Sequence, residues 1–224
     1  MNRNKNIITI DGPACSGKGT LSRRVAEHFG WLHLDSGLLY RSLAYVLLQH
    51  RISPEQVEES IIEQIAKELK FDVHDRSLSV SWNNYKLGNE LRTEQVGHWA
   101  SLVAREPITR QVLLKLQRSV AQKVGQLVAD GRDMGTTVFP DAQFKFFLVA
   151  PLDVRAKRRF EDQRIINPLI TYEAVLEQLK KRDLRDTERS IAPLKQAEDA
   201  IPIDTGSLSI EESFKIILSH VEKS

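Results

Sequence analysis

Residues 12–20 read GPACSGKGT and follow the apolar run NIITIDG. Gly12, Gly17 and Lys18 fall on the spacing G-x-x-x-x-G-K, and the chemistry open to such a stretch is phosphate binding. Glycines let a backbone curl until successive N–H groups face one point. A helix starting behind the loop adds free N–H groups and the positive end of its dipole. Lys18 adds a point charge suited to β- and γ-phosphates. Gly12, Pro13, Ala14, Cys15, Ser16, Gly17, Lys18, Gly19 and Thr20 are therefore candidate contacts to a nucleoside triphosphate. The place after the lysine holds Gly19, and Thr20 comes one later, so the hydroxyl that commonly binds Mg²⁺ directly is missing. A chance glycine turn with a solvated lysine shares the bare spacing; the flanking strand and helix patterns argue against it.

Joining two phosphorylated substrates demands fixed cations, and an arginine fork binds phosphate oxygens in two places. Arg41, Arg132, Arg155, Arg158, Arg159, Arg164, Arg182 and Arg189 are the candidates. Arg132 lies between a strand end and a glycine-bearing turn, where α/β sheets bind ligands. Arg158 and Arg164 fit a solvated basic helix face equally well. Asp130 ends an apolar strand, as a metal-orienting carboxylate or a turn-forming aspartate does. Asp35, before SG, reads as a helix N-terminal residue or as a group behind the site. Arg182 and Asp186 are four apart, an ion-pair spacing on one helix, and Arg182 and Arg189 fall on one helical face seven apart. His33 and His74 lack a partner at metal-ligand spacing.

Strands and helices alternate along the chain. NIITI, WLHLD, QLVADG, FKFFLVA and AIPIDT read as short strands, buried where the run is wholly apolar. Helices are expected from Lys18 to Phe29 with Gly30 as the stop, and over SGLLYRSLAYVLLQH, apolar almost all round. A third helix is expected over PEQVEESIIEQIAKEL, with Val57, Ile61, Ile65 and Leu69 on one face. Leu78, Val80 and Trp82 alternate with serines between turns at HD and NN, a small antiparallel patch read as an insertion over about residues 70–92. Helical pattern returns after Thr93, breaks at Pro107, resumes in a second helix with Val112, Leu116 and Val120, and recurs over PLDVRAKRRFEDQR and YEAVLEQLKKRDLRD. Ser209 to Glu212 form a capping box before the last helix. The expectation is a single α/β domain over 1–224, a parallel sheet with helices on both faces.

The 224 residues are 41% hydrophobic, 28% charged and 7% aromatic, enough for a core without staples. The 32 basic and 30 acidic side chains leave a net charge of +2, too weak to argue for a nucleic-acid or membrane surface. The single cysteine, Cys15, excludes an intrachain disulfide and suits a reducing compartment. No signal peptide or membrane span is visible, and a cytoplasmic protein is expected.

LDSGLLYR, ASLVAREPITR, ADGRDMGT, VRAKRR, KKRDLRDTERSIAPL and IDTGSLS occur in this order, and together with the phosphate loop they resemble the bacterial cytidylate kinase family over nearly the whole chain. The chain departs at Leu38, where the family usually has a small residue, and at Cys15, where glycine, serine or alanine is usual. The resemblance implies a P-loop kinase fold with a small β-containing insertion that binds the monophosphate and a helical lid over about 152–170. It implies transfer of the γ-phosphoryl group of ATP to CMP or dCMP with Mg²⁺, and a monomer. It gives Lys18, Arg132, Asp130, Arg159 and Arg189 the catalytic work. Arg155 and Arg159 of the lid, with Ser207, join the loop at ATP. Ser36, Arg41, Arg132 and Arg189 hold the CMP phosphate. Ser101, Arg110 and Asp133 read cytosine, and Arg182 and Asp186 take the sugar. Mg²⁺ is held through water and phosphates near Asp130 and Asp35 rather than by direct ligation. Another P-loop small-molecule kinase, or a nucleotide-binding regulator without transfer activity, stays open as the alternative.

Overall fold

The computed structural model describes residues 4–165 and 167–223. Residues 1–3, 166 and 224 of the expected domain, with Ile166 of the expected lid, lie outside them. The strands are β1 (Asn4–Asp11), β2 (Leu32–Asp35), β3 (Leu69–His74), β4 (Ser77–Trp82), β5 (Tyr85–Lys86), β6 (Leu127–Gly131), β7 (Ala142–Val149) and β8 (Ile201–Asp204). The helices are α1 (Lys18–Phe29), α2 (Ser36–Gln49), α3 (Glu59–Glu68), α4 (Glu94–Val103), α5 (Pro107–Val124), α6 (Leu152–Arg164), α7 (Tyr172–Glu188) and α8 (Ile210–Val221). One sheet runs β3-β4-β2-β6-β1-β7-β8, with β5 on β4. From β4 to β8 the neighbouring strands are parallel.

Alternation along the strands sorts side chains to two faces. Ile7, Leu34, Leu127 and Ala129 pack under α2 and α5, with Leu39 and Leu113. Ile8, Ile10, Val128 and Phe146 pack under α1 and α8, with Leu21, Val25, Phe214 and Ile217. The far side of α2 carries Leu43 and Leu47 into a second cluster with Ile62, Ile65, Val80, Val96 and Val103. This explains why α2 is apolar nearly all round: it is covered on both sides. A smaller cluster joins Ala14 of the loop to Ala156, Val175 and Leu179 of α6 and α7.

The segment read as an insertion is an antiparallel hairpin, β3 with β4, and its strand β4 hydrogen-bonds to β2 at His33↔Ser77. The main sheet therefore continues into it. The helix expected from Pro54 to Leu69 is divided. Pro54–Gln56 form a single tight turn, and α3 begins at Glu59. Leu69 turns extended and opens β3, buried at 4% exposure. Its fourfold spacing from Ile65 comes from burial in the same cluster, not from a shared helix. Gly30 ends α1 in the left-handed conformation, Pro107 opens α5, and Ser209 and Glu212 complete the capping box of α8, as expected.

Candidate active site

Strands β1, β6 and β2 are neighbours, and their carboxyl ends reach one edge of the sheet with Ile10↔Asp130 and Asp35↔Asp130 in register. After β1 the chain turns through the phosphate loop. A Cβ at Gly12 would lie 2.7 Å from the Leu148 carbonyl oxygen, so only glycine lets the loop pass β7. Gly17 caps α1 at φ 86, and Cys15 holds φ 59, a left-handed conformation rare for a residue with a Cβ. Lys18 Nζ donates to the Pro13 carbonyl at 3.0 Å. The loop is braced from behind: Thr205 Oγ1 donates to Ser16 O at 2.8 Å, and Arg155 Nη1 to Ala14 O at 3.2 Å. Arg155 also bonds Ala150 O and Asp183 Oδ2, at 3.0 and 2.6 Å.

After β6 come Arg132 and Asp133. The turn beyond them, Met134–Val138, is fixed by Asp11, whose two oxygens accept the N–H groups of Met134 and Gly135 at 2.9 and 2.8 Å. Burial pushes the Asp11 carboxyl up to about 7, against these two bonds. After β2, Asp35 does two things at once. Oδ1 accepts from Leu38 N at 3.1 Å and caps α2, while Oδ2 accepts from Arg41 Nη2 at 2.9 Å. Both readings left open for Asp35 describe the same side chain.

These ends open on a cleft of about 290 Å³. Its lining includes Ala14, Cys15, Lys18, Gly19, Asp35, Ser36, Arg41, Ser101, Arg110, Asp130, Arg132, Asp133, Arg159, Arg182, Asp186 and Arg189. Among the described residues of this lining, seven basic side chains face four carboxylates, a basic excess suited to polyanions. Arg132 Nε donates to Asp186 Oδ2 at 2.8 Å. Asp133 is ion-paired to Arg110, and its Oδ1 lies 3.6 Å from Arg189 Nη2. Ser101 Oγ, Arg182 Nε and Arg189 Nη2 are buried polar atoms without a hydrogen-bond partner, so a ligand there gains contacts at little cost.

The fields in the cleft reflect this crowding. Burial, then repulsion from Arg132, brings the Lys18 ammonium down to about 7. Burial and Arg132 likewise bring Arg182 down to about 10. Burial lifts the Asp133 carboxyl despite Arg110 and Arg189. Burial would also lift Asp186, but Arg132 and Arg182 outweigh it and hold that carboxyl below its usual range.

Of the expected ATP contacts, Gly12, Pro13, Ser16 and Gly17 form the loop beside the cleft and Thr20 is exposed in the first turn of α1. Arg155 is buried behind the loop, and Ser207 is exposed at a turn held by Asp204. Arg189 does not share a helical face with Arg182. The helix α7 ends at Glu188, Arg189 is extended, and its Nε bonds Ala192 O at 2.6 Å. Asp186 bonds Arg132 rather than closing an i, i+4 pair with Arg182. Of the two arginines that fit a solvated helix face, Arg158 is tied down, donating to Thr205 O at 2.6 Å, while Arg164 stays exposed with its guanidinium 6.0 Å over the Phe160 ring. Tyr40 lines the cleft with Arg110 5.8 Å over its ring, and sequence reasoning missed it although it stands inside LDSGLLYR. Asp183 was missed as well; its signal is the acid-base run KKRDLRD.

The family model for cytidylate kinase matches residues 8–223 of the chain. A cytidylate kinase of Pseudomonas fluorescens is 41% identical over 225 residues, covering 99% of this chain and 97% of its own. One of Azorhizobium caulinodans is 43% identical over 217 residues, covering 97% and 98%. A solved structure of an uncharacterized protein from Eubacterium ventriosum superimposes with a TM-score of 0.54 at 15% identity, covering 98% of this chain and 99% of its own, a likeness of fold alone.

Proposed function

The chain belongs to the cytidylate kinase family, and from that membership we infer that its cleft transfers the γ-phosphoryl group of ATP to CMP or dCMP, giving ADP and CDP or dCDP. It is an ATP-dependent phosphotransferase. The observation that carries the reading is the convergence on one cleft of the phosphate-loop lysine, six arginines and the Arg110–Asp133 pair.

Phosphoryl transfer is mostly positioning and charge stabilisation. The attacking CMP oxygen is already anionic, so no general base is needed. We assign the loop N–H groups and Lys18 to the β- and γ-phosphates of ATP, and Arg159 to the charge that develops in transfer. Arg155 serves the donor site from behind, by fixing the loop through Ala14 O. Ser207, on the turn after β8, is assigned to the ATP side. Arg41, Arg132 and Arg189, with Ser36, are assigned to the CMP phosphate. Asp133 accepts the cytosine 4-amino group, while Arg110 and Ser101 donate toward O2 and N3. Arg182 and Asp186 are assigned to the sugar hydroxyls.

The residues suit a hard, water-bound cation. Among the described residues no group of three or more His, Cys, Asp or Glu forms a metal cage, but Asp130 and Asp35 stand in register at the strand ends beside the loop. Mg²⁺ is commonly held in this way, through one or two carboxylates, water and substrate phosphates. When bound it would neutralise phosphate charge, and Asp130 and Asp35 would orient its waters. We assign the 152–170 segment to a lid that excludes water when both substrates are bound. No helix among the described residues is long and apolar enough to cross a membrane. We place the protein in the cytoplasm as a monomer, its single cysteine suiting a reducing compartment.

Anion-exchange separation of a reaction holding ATP, Mg²⁺ and CMP tests the assignment. CDP and ADP formed one for one are expected. ADP without CDP would overturn it.

A further inference from the structure

His33 and Asp130 form a buried pair that none of the roles above uses. His33 Nε2 lies 2.7 Å from Asp130 Oδ1, and the residues are 6% and 3% exposed. A carboxylate only accepts, so Nε2 is the donor. The pairing follows from the sheet. In register β2 sets His33 against Val128 and Asp35 against Asp130, so His33 reaches Asp130 on the diagonal. Alternation puts His33 and Asp35 on the same face of β2, the face that carries α1.

With Oδ1 taken, the direction of Oδ2 is set. A Cβ added at Gly19 would lie 4.0 Å from Asp130 Oδ2, so that oxygen points at the first turn of α1, next to Lys18. His33 is itself anchored from the sheet edge. Its backbone N–H donates to Arg76 O at 2.8 Å, in the turn where Asp75 and Arg76 both take positive φ. The Arg76 guanidinium folds back over Gly30, 3.3 Å from where a Cβ would stand. A chain of contacts thus runs from the edge hairpin, through β2, to the carboxylate of the site. A buried imidazole and carboxylate cost desolvation that an apolar pair would not, so packing alone does not account for them.

We propose that His33 is a positioning residue for phosphoryl transfer: its imidazole locks the Asp130 carboxylate so that Oδ2 faces Lys18 and Gly19 in the cleft. The proposal rests on the reading of Asp130 as the carboxylate of the site. Groups placed behind a reacting centre typically change rate by about 10-fold or more when removed.

The test compares His33→Leu, which keeps volume and loses the donor, with His33→Gln, whose amide reaches about as far as Nε2. Both are also placed on Asp130→Asn. Expected are a kcat about 10-fold lower for H33L with KM for CMP unchanged, most of that loss recovered in H33Q, and no further loss when H33L is added to D130N. H33N, too short to reach Oδ1, repeats the first arm if H33L does not fold. A normal kcat in H33L beside an impaired D130N would overturn the role of His33 and leave that of Asp130 standing. An unimpaired D130N would overturn the reading of Asp130 and the proposal with it. Equal losses in H33L and H33Q, additive with D130N, would reduce His33 to packing.

Discussion

Arg132 and Asp186 meet Nε to Oδ2 at 2.8 Å and so tie the end of β6 to the last turns of α7. One residue comes from the sheet edge that carries the phosphate loop, the other from the helix behind the expected lid. Neither position is fixed by local sequence. The pair exists because the fold brings two charged ends together over a cleft already rich in arginine.

Asp186→Asn leaves Arg132 buried beside Arg182 without its counter-charge. Breaking a buried pair from one side costs about 3 kcal/mol, and KM for CMP rises because Arg132 loses its anchor. The pH dependence follows from the sign of the shift. Asp186 is held below its ordinary value of 3.8, so its stabilising contribution is complete above that pH and is lost as pH falls through the lower folded value. Urea unfolding of the two proteins at stepped pH should show a gap that is constant near neutrality and narrows below about pH 4. A gap that widens in acid would contradict the pairing.

Asp133→Asn tests base recognition. A carboxylate accepts from the 4-amino group of cytosine and repels the O4 of uracil, whereas an amide can donate to O4. The ratio of kcat/KM for CMP over UMP should fall about 10-fold, in line with one hydrogen-bonded base edge. Circular dichroism and thermal unfolding check that the loss of charge beside Arg110 leaves the fold intact. An unchanged ratio would remove Asp133 from the base site.

Lys18 is brought down to about 7 by burial and by Arg132. Bound phosphates favour the ammonium, so the lysine takes up a proton when ATP binds above that pH. Calorimetry at pH 8 in buffers of different ionisation heats should find a proton uptake on ATP binding assignable to Lys18. At pH 6 the lysine is already charged and contributes little. Lys18→Ala should abolish this uptake and lower kcat about 100-fold or more. Near-normal turnover in the folded variant would contradict the loop assignment.

Much of the cleft is legible in sequence because the residues stand at strand ends. Short apolar runs closed by Asp11, Asp35 and Asp130 announce parallel strands, and the residues after them can only fall at one edge of the sheet. The helix caps at Gly30 and Ser209 are equally local. What sequence hides is pairing between distant segments. Arg189 looks like a helix-face partner of Arg182, because spacing cannot show that α7 stops one residue earlier. Leu69 looks helical because burial in one cluster imitates helical spacing. His33 looks idle because Asp130 is 97 positions away. Arg155 reads as a mobile lid cation, while in the fold it is buried under the phosphate loop, engaged by Ala14, Ala150 and Asp183.

This cleft phosphorylates cytidine monophosphates. Coupled detection of ADP release, with the same enzyme and ATP against CMP, dCMP, UMP, AMP and shikimate, measures it directly. The highest kcat/KM is expected with CMP or dCMP, lower values with UMP and AMP, and none above background with shikimate. Faster turnover of AMP or shikimate than of either cytidine nucleotide, or no ADP release with any acceptor, would contradict it.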